Sequence, residues 1–220
     1  IQTFHSIVPA SIMEFYPQVG VTRDVGSRPS ADLYALRSLL SEKYLFSQDE
    51  KETQPAMPGF SYYTNQDGFN IYKNDNFIPM GFTYDYYLTQ SMFDSTTTSL
   101  RGNLLLKGML LSDMQILKHS DILKMYPDIE YPHYSDEALA NDCANRRAES
   151  SYYFAYDNYG FTSKINLSTE NLVFFSVPWD EGWSATIDGE PVEIEKVNVG
   201  FMAVRVPAGE STIRFDYETP

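Results

Sequence analysis

The feature that most constrains this chain is a series of short strand-like segments after residue 150. Each segment alternates apolar and polar residues or is wholly apolar, and turns rich in Gly, Asp, Asn or Pro separate them. Short strands at this spacing are typical of an antiparallel β-sandwich or jelly roll. We therefore predict a β-sandwich domain over residues 149–220. The seven segments are SYYFAYDN, GFTSKINL, NLVFFSVP, WSATI, PVEIEKVN, FMAVRVP and STIRFDYE.

Within this series, Asp188 and Gly189 predict a two-residue hairpin turn between SATI and EPVEI. Both residues tolerate the positive φ angles that such a turn requires. Because side chains alternate along a strand, Trp183 shares a face with the apolar residues of WSATI. We therefore expect Trp183 in the core of the sandwich.

The first 148 residues mix helical and strand patterns, which predicts an α+β domain with helices and a small antiparallel sheet. Helical spacing is visible in three stretches, 10–19, 33–40 and 135–148. Two strand-like runs around Asp67 and Gly68 predict a hairpin.

Three further expectations concern the centre of the chain. We predict one strand from about Met80 to Leu88 and a helix that ends near Leu111. Residues 118–134 contain two prolines and are expected to be irregular.

Composition limits the function classes that need consideration. The formal net charge is −14, and no basic stripe is visible, so nucleic acid is not an expected partner. The longest apolar cluster, Leu104–Leu111, is too short to span a membrane and contains Lys107. The sequence begins with Ile1, and we expect it to be part of a longer protein.

The candidate ligand-binding residues are Trp179, Asp180 and Glu181, in a tight turn between two strands. An exposed Trp179 could stack on a sugar ring, whereas the alternative is packing against a neighbouring domain or loop. Two adjacent carboxylates could act as an acid–base pair, but solvated turn residues are the default interpretation. We therefore predict no catalytic residue in this chain.

No metal or cofactor site is predicted. His5, His119 and His133 lack the spacing of a helical zinc pair, and Cys143 is the single cysteine. No phosphate-binding loop or nucleophile-elbow motif is present in the sequence.

The stretch from Leu172 to Pro220 resembles the end of the soluble region of the bacterial YfhO membrane-protein family. The shared pattern is an apolar strand, a Pro-aromatic-Asp-x-Gly-Trp turn, a strand ending at a Gly turn, then Asn-x-Gly-Phe-Met and Pro-x-Gly. Residues 4–16, 36–46 and 59–87 are also similar to the family. Position 179 has Trp where Tyr is common. The matching residues are Pro178, Trp179, Asp180, Gly182, Trp183, Gly189, Asn198, Gly200, Phe201, Met202, Pro207 and Gly209.

The resemblance implies an extracytoplasmic region of a multi-pass membrane protein of the glycosyltransferase-like type, on the outer side of the bacterial cytoplasmic membrane. Such proteins are associated with modifying glycopolymers of the teichoic-acid type in Gram-positive envelopes. The catalytic acid of the family is expected outside these 220 residues. The implied partners are the protein's own transmembrane portion and a cell-wall glycopolymer. Three alternatives remain open at this point: a carbohydrate-binding module, a purely structural docking domain and a free-standing hydrolase.

Overall fold

The computed structural model describes residues 9–22, 29–48, 57–127 and 134–219. Helices lie in the first two thirds of the chain, and the last third is built of antiparallel strands. This confirms the predicted combination of an α+β part and a sheet-rich C-terminal part. The helices are α1 Ala10–Gln18, α2 Ala35–Leu39, α3 Gln90–Ser95, α4 Arg101–Lys107, α5 Asp113–His119 and α6 Asp136–Ala148, with 3₁₀ turns at Ala31–Leu33 and Thr98–Leu100. The strands are β1 Tyr44–Ser47, β2 Phe60–Gln66, β3 Phe69–Asn74, β4 Phe82–Thr83, β5 Tyr86–Leu88, β6 Met109–Leu110, β7 Lys124–Met125, β8 Tyr153–Tyr156, β9 Gly160–Leu167, β10 Asn171–Pro178, β11 Trp183–Ile187, β12 Glu190–Val192, β13 Glu195–Val197, β14 Phe201–Val206 and β15 Gly209–Tyr217.

Several predicted elements of the N-terminal part are present. Helix α1 coincides with the first helical pattern, and α6 begins after Ser135, whose hydroxyl accepts a hydrogen bond from the Ala138 N–H at 3.1 Å. Strands β2 and β3 form the predicted hairpin, and β1 completes an antiparallel sheet of order β1-β3-β2. The small antiparallel sheet is therefore confirmed.

The prediction of one strand from Met80 to Leu88 was wrong. Strand β4 pairs antiparallel with β10, whereas β5 pairs parallel with β6 and β7 in a separate sheet. Tyr84 lies between them, fully buried, and its carbonyl oxygen accepts from the Asn171 side chain at 2.9 Å. This carbonyl is bonded to a side chain rather than to a neighbouring strand. The backbone pairing of the predicted strand is therefore interrupted at Tyr84, between β4 and β5.

The helix predicted to reach Leu111 ends at Lys107. The backbone of Gly108 is extended, with φ −159° and ψ 159°, and the next two residues form β6 beside β5. The irregular stretch predicted after residue 118 also needs correction, because α5 extends to His119 and β7 follows. Helix α5 begins with a capping box between Ser112 and Gln115, a local signal that the periodicity of apolar residues does not reveal. Residues 128–133 lie outside the described residues.

The C-terminal strands, together with β4 of the N-terminal part, form a sandwich of two antiparallel sheets. The middle sheet has the order β13-β14-β10-β4, and the outer sheet has the order β12-β11-β15-β9-β8. The segment PVEIEKVN, predicted as one strand, supplies β12 to the outer sheet and β13 to the middle sheet. Jelly-roll connectivity stays a prediction. The core between the sheets consists of apolar side chains from both, among them Phe161, Ile165, Val173, Phe175, Ile187, Met202, Val204, Ile213 and Phe215.

The middle sheet is buried on both faces. Val173 and Phe175 of β10 face the outer sheet, whereas Leu172 and Phe174 belong to the cluster formed with the N-terminal helices. This explains the unbroken apolar run of β10, since a strand with two buried faces does not alternate. A division of the chain into domains at residue 148 stays a prediction.

The turn before β14 joins the two parts of the chain. The side-chain oxygen of Asn198 accepts from the Leu110 N–H at 2.7 Å, and the Asn198 N–H donates to the Leu110 carbonyl at 3.1 Å. A Cβ at position 200 would overlap the carbonyl oxygen of Ser11, so the close approach requires Gly200. The Asn-x-Gly motif therefore has a packing role.

The predicted hairpin between β11 and β12 is confirmed. Asp188 and Gly189 have φ angles of 51° and 91°, as a turn with two positive φ angles requires. Trp183 lies on the inner face of the outer sheet, as expected, but it is half-buried rather than enclosed. Its exposed side opens into the site described next.

Candidate functional site

An open cleft lies at one end of the sandwich, between the middle and outer sheets. Its volume is about 610 Å³, which is the size of many small-molecule sites. We call it the aromatic cleft. Its described lining residues are Pro9, Phe154, Tyr156, Asp157, Asn158, Tyr159, Gly160, Phe161, Val177, Pro178, Asp180, Trp183 and Tyr217.

Packed aromatic rings form the inner wall of the cleft. The Trp183 ring lies 5.7 Å from Phe161 and 5.0 Å from Tyr217, at interplanar angles of 65° and 58°. Phe154 of the edge strand β8 adds a ring 5.3 Å from Phe161. These tilted and edge-on arrangements are favourable for aromatic pairs and fix the shape of the wall.

Two tyrosines form the exposed rim. Tyr156 is 84% exposed and Tyr159 is 72% exposed, although both belong to a well-bonded hairpin between β8 and β9. The N–H of Tyr217 donates to the carbonyl of Tyr159 at 2.7 Å, which attaches this hairpin loop to β15. Large aromatic side chains on a fixed backbone are therefore presented to solvent.

Asp157 holds the loop of this hairpin. Its carboxylate accepts from the N–H groups of Tyr159 and Gly160 at 2.8 and 3.0 Å. It also pairs with Arg214, whose nitrogens lie 2.8 and 3.1 Å from its two oxygens. The hydrogen bonds from Arg214, followed by that from Tyr159, lower the pKa of Asp157 to about 2. Asp157 is therefore a charged structural residue of the rim.

Asp180 occupies the opposite side of the rim. Its Oδ1 accepts from the Gly182 N–H at 3.0 Å and from the Tyr217 hydroxyl at 3.2 Å. The pKa of Tyr217 is raised, first by loss of solvation, then by this hydrogen bond and by the charges of Asp180 and Glu181. The tyrosine hydroxyl thus stays protonated and can orient the carboxylate at neutral pH.

The structure separates the three predicted ligand-binding residues. Asp180 lines the aromatic cleft, and Glu181 is exposed in the same turn. The half-buried ring of Trp179 packs on the sandwich core, with the Lys196 ammonium 5.2 Å from its centroid. Trp183, predicted to lie in the core, packs on the core with one side and lines the cleft with the other. The ligand-binding role of Trp179, Asp180 and Glu181 stays a prediction.

Other groups that could carry chemistry are engaged in packing. His119 is buried and its Nε2 lies 2.9 Å from Glu195, which also bonds Lys118. Cys143 is buried, and burial raises the pKa of its thiol to about 11. No group of three or more His, Cys, Asp or Glu side chains within the described ranges is arranged to hold a metal ion. His5 and His133 lie outside those ranges.

Sequence reasoning missed most of the cleft residues. Phe154, Tyr156, Tyr159 and Tyr217 were interpreted only as strand and turn residues. One signal was available, because the segment SYYFAYDNYG has aromatic residues at both odd and even positions, which would lie on both faces of a strand. A strand with one buried face needs apolar rings at alternate positions, so the additional rings must be exposed or form a binding surface.

Comparison with known proteins identifies the family. The model of the family described as "Bacterial membrane protein YfhO" matches residues 1–141 and 134–220. The chain belongs to the YfhO family of bacterial membrane proteins. The resemblance found in the sequence is therefore confirmed across the whole chain. Among the helices of the described residues, none has the length and hydropathy needed to cross a bilayer.

A similar YfhO-family protein is the "Uncharacterized protein YfhO" of Bacillus subtilis (strain 168). It is 23% identical over 84 residues, which is 38% of this chain and 10% of the relative. The match thus spans about a tenth of the length of that protein. No solved structure matches the chain.

Proposed function

We propose that this chain is an extracytoplasmic accessory domain of a multi-pass membrane protein of the glycosyltransferase-like type. In this proposal the domain binds a cell-envelope glycopolymer of the teichoic-acid type, and catalysis takes place in another part of the protein. The YfhO family supplies the membrane context. The extracytoplasmic side and the glycosyltransferase type follow from the resemblance described above.

The main support for glycan binding is the composition of the aromatic cleft. Ligand sites are commonly concave and lined by aromatic side chains, with a small number of polar groups that orient the ligand. The cleft has this composition, because Trp183 and Tyr217 form its wall and Asp180 provides an acceptor at its rim. The C–H faces of a pyranose ring fit aromatic rings, and its hydroxyls can donate to a carboxylate.

Binding is tested by following tryptophan emission of the chain during titration with purified, sugar-substituted lipoteichoic acid. We expect the emission to change and Tyr159→Ala to weaken binding by about tenfold, since stacking on an exposed ring is lost. Tyr63→Ala is the matched control, because Tyr63 is 58% exposed on β2 in another sheet. Unchanged emission at millimolar sugar, or equal effects of the two substitutions, would leave a purely structural docking role.

Location is tested in intact cells that produce the full-length protein with Tyr159→Cys. A membrane-impermeant maleimide should label this protein more strongly than the parent, because Tyr159 is exposed and Cys143 is buried. Labelling only after the cells are broken would contradict the extracytoplasmic placement.

A further inference from the structure

We propose that the aromatic cleft selects uncharged sugar residues and excludes anionic ones, including phosphorylated sugars. This inference rests on the proposed function and names the chemical class of the ligand. On a glycopolymer with a phosphodiester backbone, the cleft would hold the sugar substituents and not the backbone.

The walls supply contacts that do not depend on charge. The half-buried rings of Trp183 and Tyr217 lie side by side and pack on the buried Phe161, and Tyr156 and Tyr159 are exposed at the rim. Such rings offer apolar area and a negative face to C–H groups. An uncharged pyranose can pack on these rings without removing a charge from water. A phosphate would have to leave water without any compensating partner.

The charged groups of the cleft are acidic. Asp157 and Asp180 line it, and no Lys, Arg or His is among its described lining residues. Glu181 is exposed in the turn next to Asp180. A bound anion would therefore meet the carboxylate of Asp180, whereas that of Asp157 is paired with Arg214 on the outer face of the outer sheet.

The guanidinium that pairs with the lining residue Asp157 is already neutralised. Arg214 bonds Asp157 at 2.8 and 3.1 Å, and the same side chain bonds Asp216 at 2.6 and 2.8 Å. Two carboxylates on one guanidinium leave this network with a net negative charge. Arg214 would have to break these pairs in order to bind a phosphate.

Asp180 has an oxygen that can accept from a ligand. Among the described residues, the donors from Gly182 and Tyr217 both bond Oδ1. Oδ2 of the same carboxylate is therefore in place to accept from a sugar hydroxyl. A carboxylate is a strong acceptor for a hydroxyl and repels a phosphate oxygen.

These features predict a measurable preference. A phosphate group carries a charge of about −1.5 to −2 at neutral pH. Its repulsion by the Asp180 carboxylate, in a partly solvated site, corresponds to about a tenfold loss of affinity at low salt. The preference should decrease as salt is added, because screening weakens interactions between exposed charges.

The experiment compares cellobiose, maltose and N,N′-diacetylchitobiose, each beside its 1-phosphate, by calorimetry with the chain at low ionic strength. For the disaccharide that binds best, we expect its 1-phosphate to bind about tenfold more weakly. Asp180→Asn should reduce this ratio to about threefold. It should also weaken binding of the uncharged sugar, because a neutral amide oxygen is a weaker acceptor for a hydroxyl than a carboxylate. Asp67→Asn, at an exposed turn aspartate of the β2–β3 hairpin, should leave the ratio unchanged.

The outcomes separate the two proposals. Equal or tighter binding of the 1-phosphate would overturn the selectivity and leave glycan binding intact. An unchanged ratio in Asp180→Asn would also overturn it, because the carboxylate would then not be the cause. If none of the six compounds binds, glycan binding in this cleft is refuted together with its selectivity.

Discussion

The middle and outer sheets of the sandwich differ in the number of faces that they bury. In the middle sheet, Phe174 and Phe175 are adjacent on β10 and both are fully buried, on opposite faces. In the outer sheet, β9 alternates between buried and solvated residues, with Ile165 inside and Lys164 outside. The middle sheet is therefore stabilised by packing on both of its faces, and the outer sheet by packing on one face.

This difference assigns different roles to the two sheets. A sheet covered on both faces links its neighbours and has no face available to a ligand. The outer sheet extends past its partner at one end, where Phe154 and Tyr156 of the edge strand β8 remain uncovered. The candidate site belongs to this end.

The strongest test of this difference between the sheets is whether the two parts of the chain unfold cooperatively. If the middle sheet links both parts of the chain, the parts should unfold together in urea. Tryptophan emission reports on Trp179 and Trp183 in the sandwich, and thiol labelling reports on Cys143 in α6. We expect the two probes to give coincident transitions. Two separated transitions would instead favour independent domains on either side of residue 148.

The next largest effect, on the free energy of unfolding, is expected when one aromatic ring is removed from each sheet. Phe174 packs against Phe82, Tyr84 and Phe201, so Phe174→Ala should cost about 3–5 kcal/mol in the free energy of unfolding. Phe154→Ala, at a ring that is 37% exposed, should cost about 1 kcal/mol. Urea titrations of both variants measure the contrast. Similar losses would show that the two sheets are equally determined by packing.

A smaller effect is expected from the ion pair on the outer face of the outer sheet. The folded state lowers the pKa of Asp157 from 3.8 to about 2, so its contribution to stability is present above about pH 4. The contribution is lost as the pH falls from about 4 to about 2. The difference in melting temperature between the parent and Asp157→Asn should therefore decrease across this interval. A difference that stays constant down to pH 2 would contradict the assigned role of Arg214.

The parts of the fold that could be predicted from the sequence are those specified locally. Asp188-Gly189 and Asp67-Gly68 determine their hairpins through allowed φ angles, and Ser135 determines the start of α6. The division of the predicted strand at Tyr84 could not be found in this way. It depends on Asn171, which is 87 positions away.

The site depends even more on distant contacts. Trp183 was assigned to the core from the alternation of β11, and this was partly right, because its inner side packs on Phe161. Its other side faces a cleft that exists only because the β8–β9 loop, the Asp180 turn and Tyr217 meet there. The residue pattern of a single segment cannot predict that these distant segments come together.

The most direct test of the division between the two sheets is hydrogen exchange of the chain with and without the disaccharide that binds best. We predict slower exchange for the amides of Tyr159, Gly182 and Tyr217, which surround the aromatic cleft, and no change in β10 and β14 of the middle sheet. Protection at a surface away from the cleft, such as β2, with unchanged exchange at these three amides would contradict the proposal.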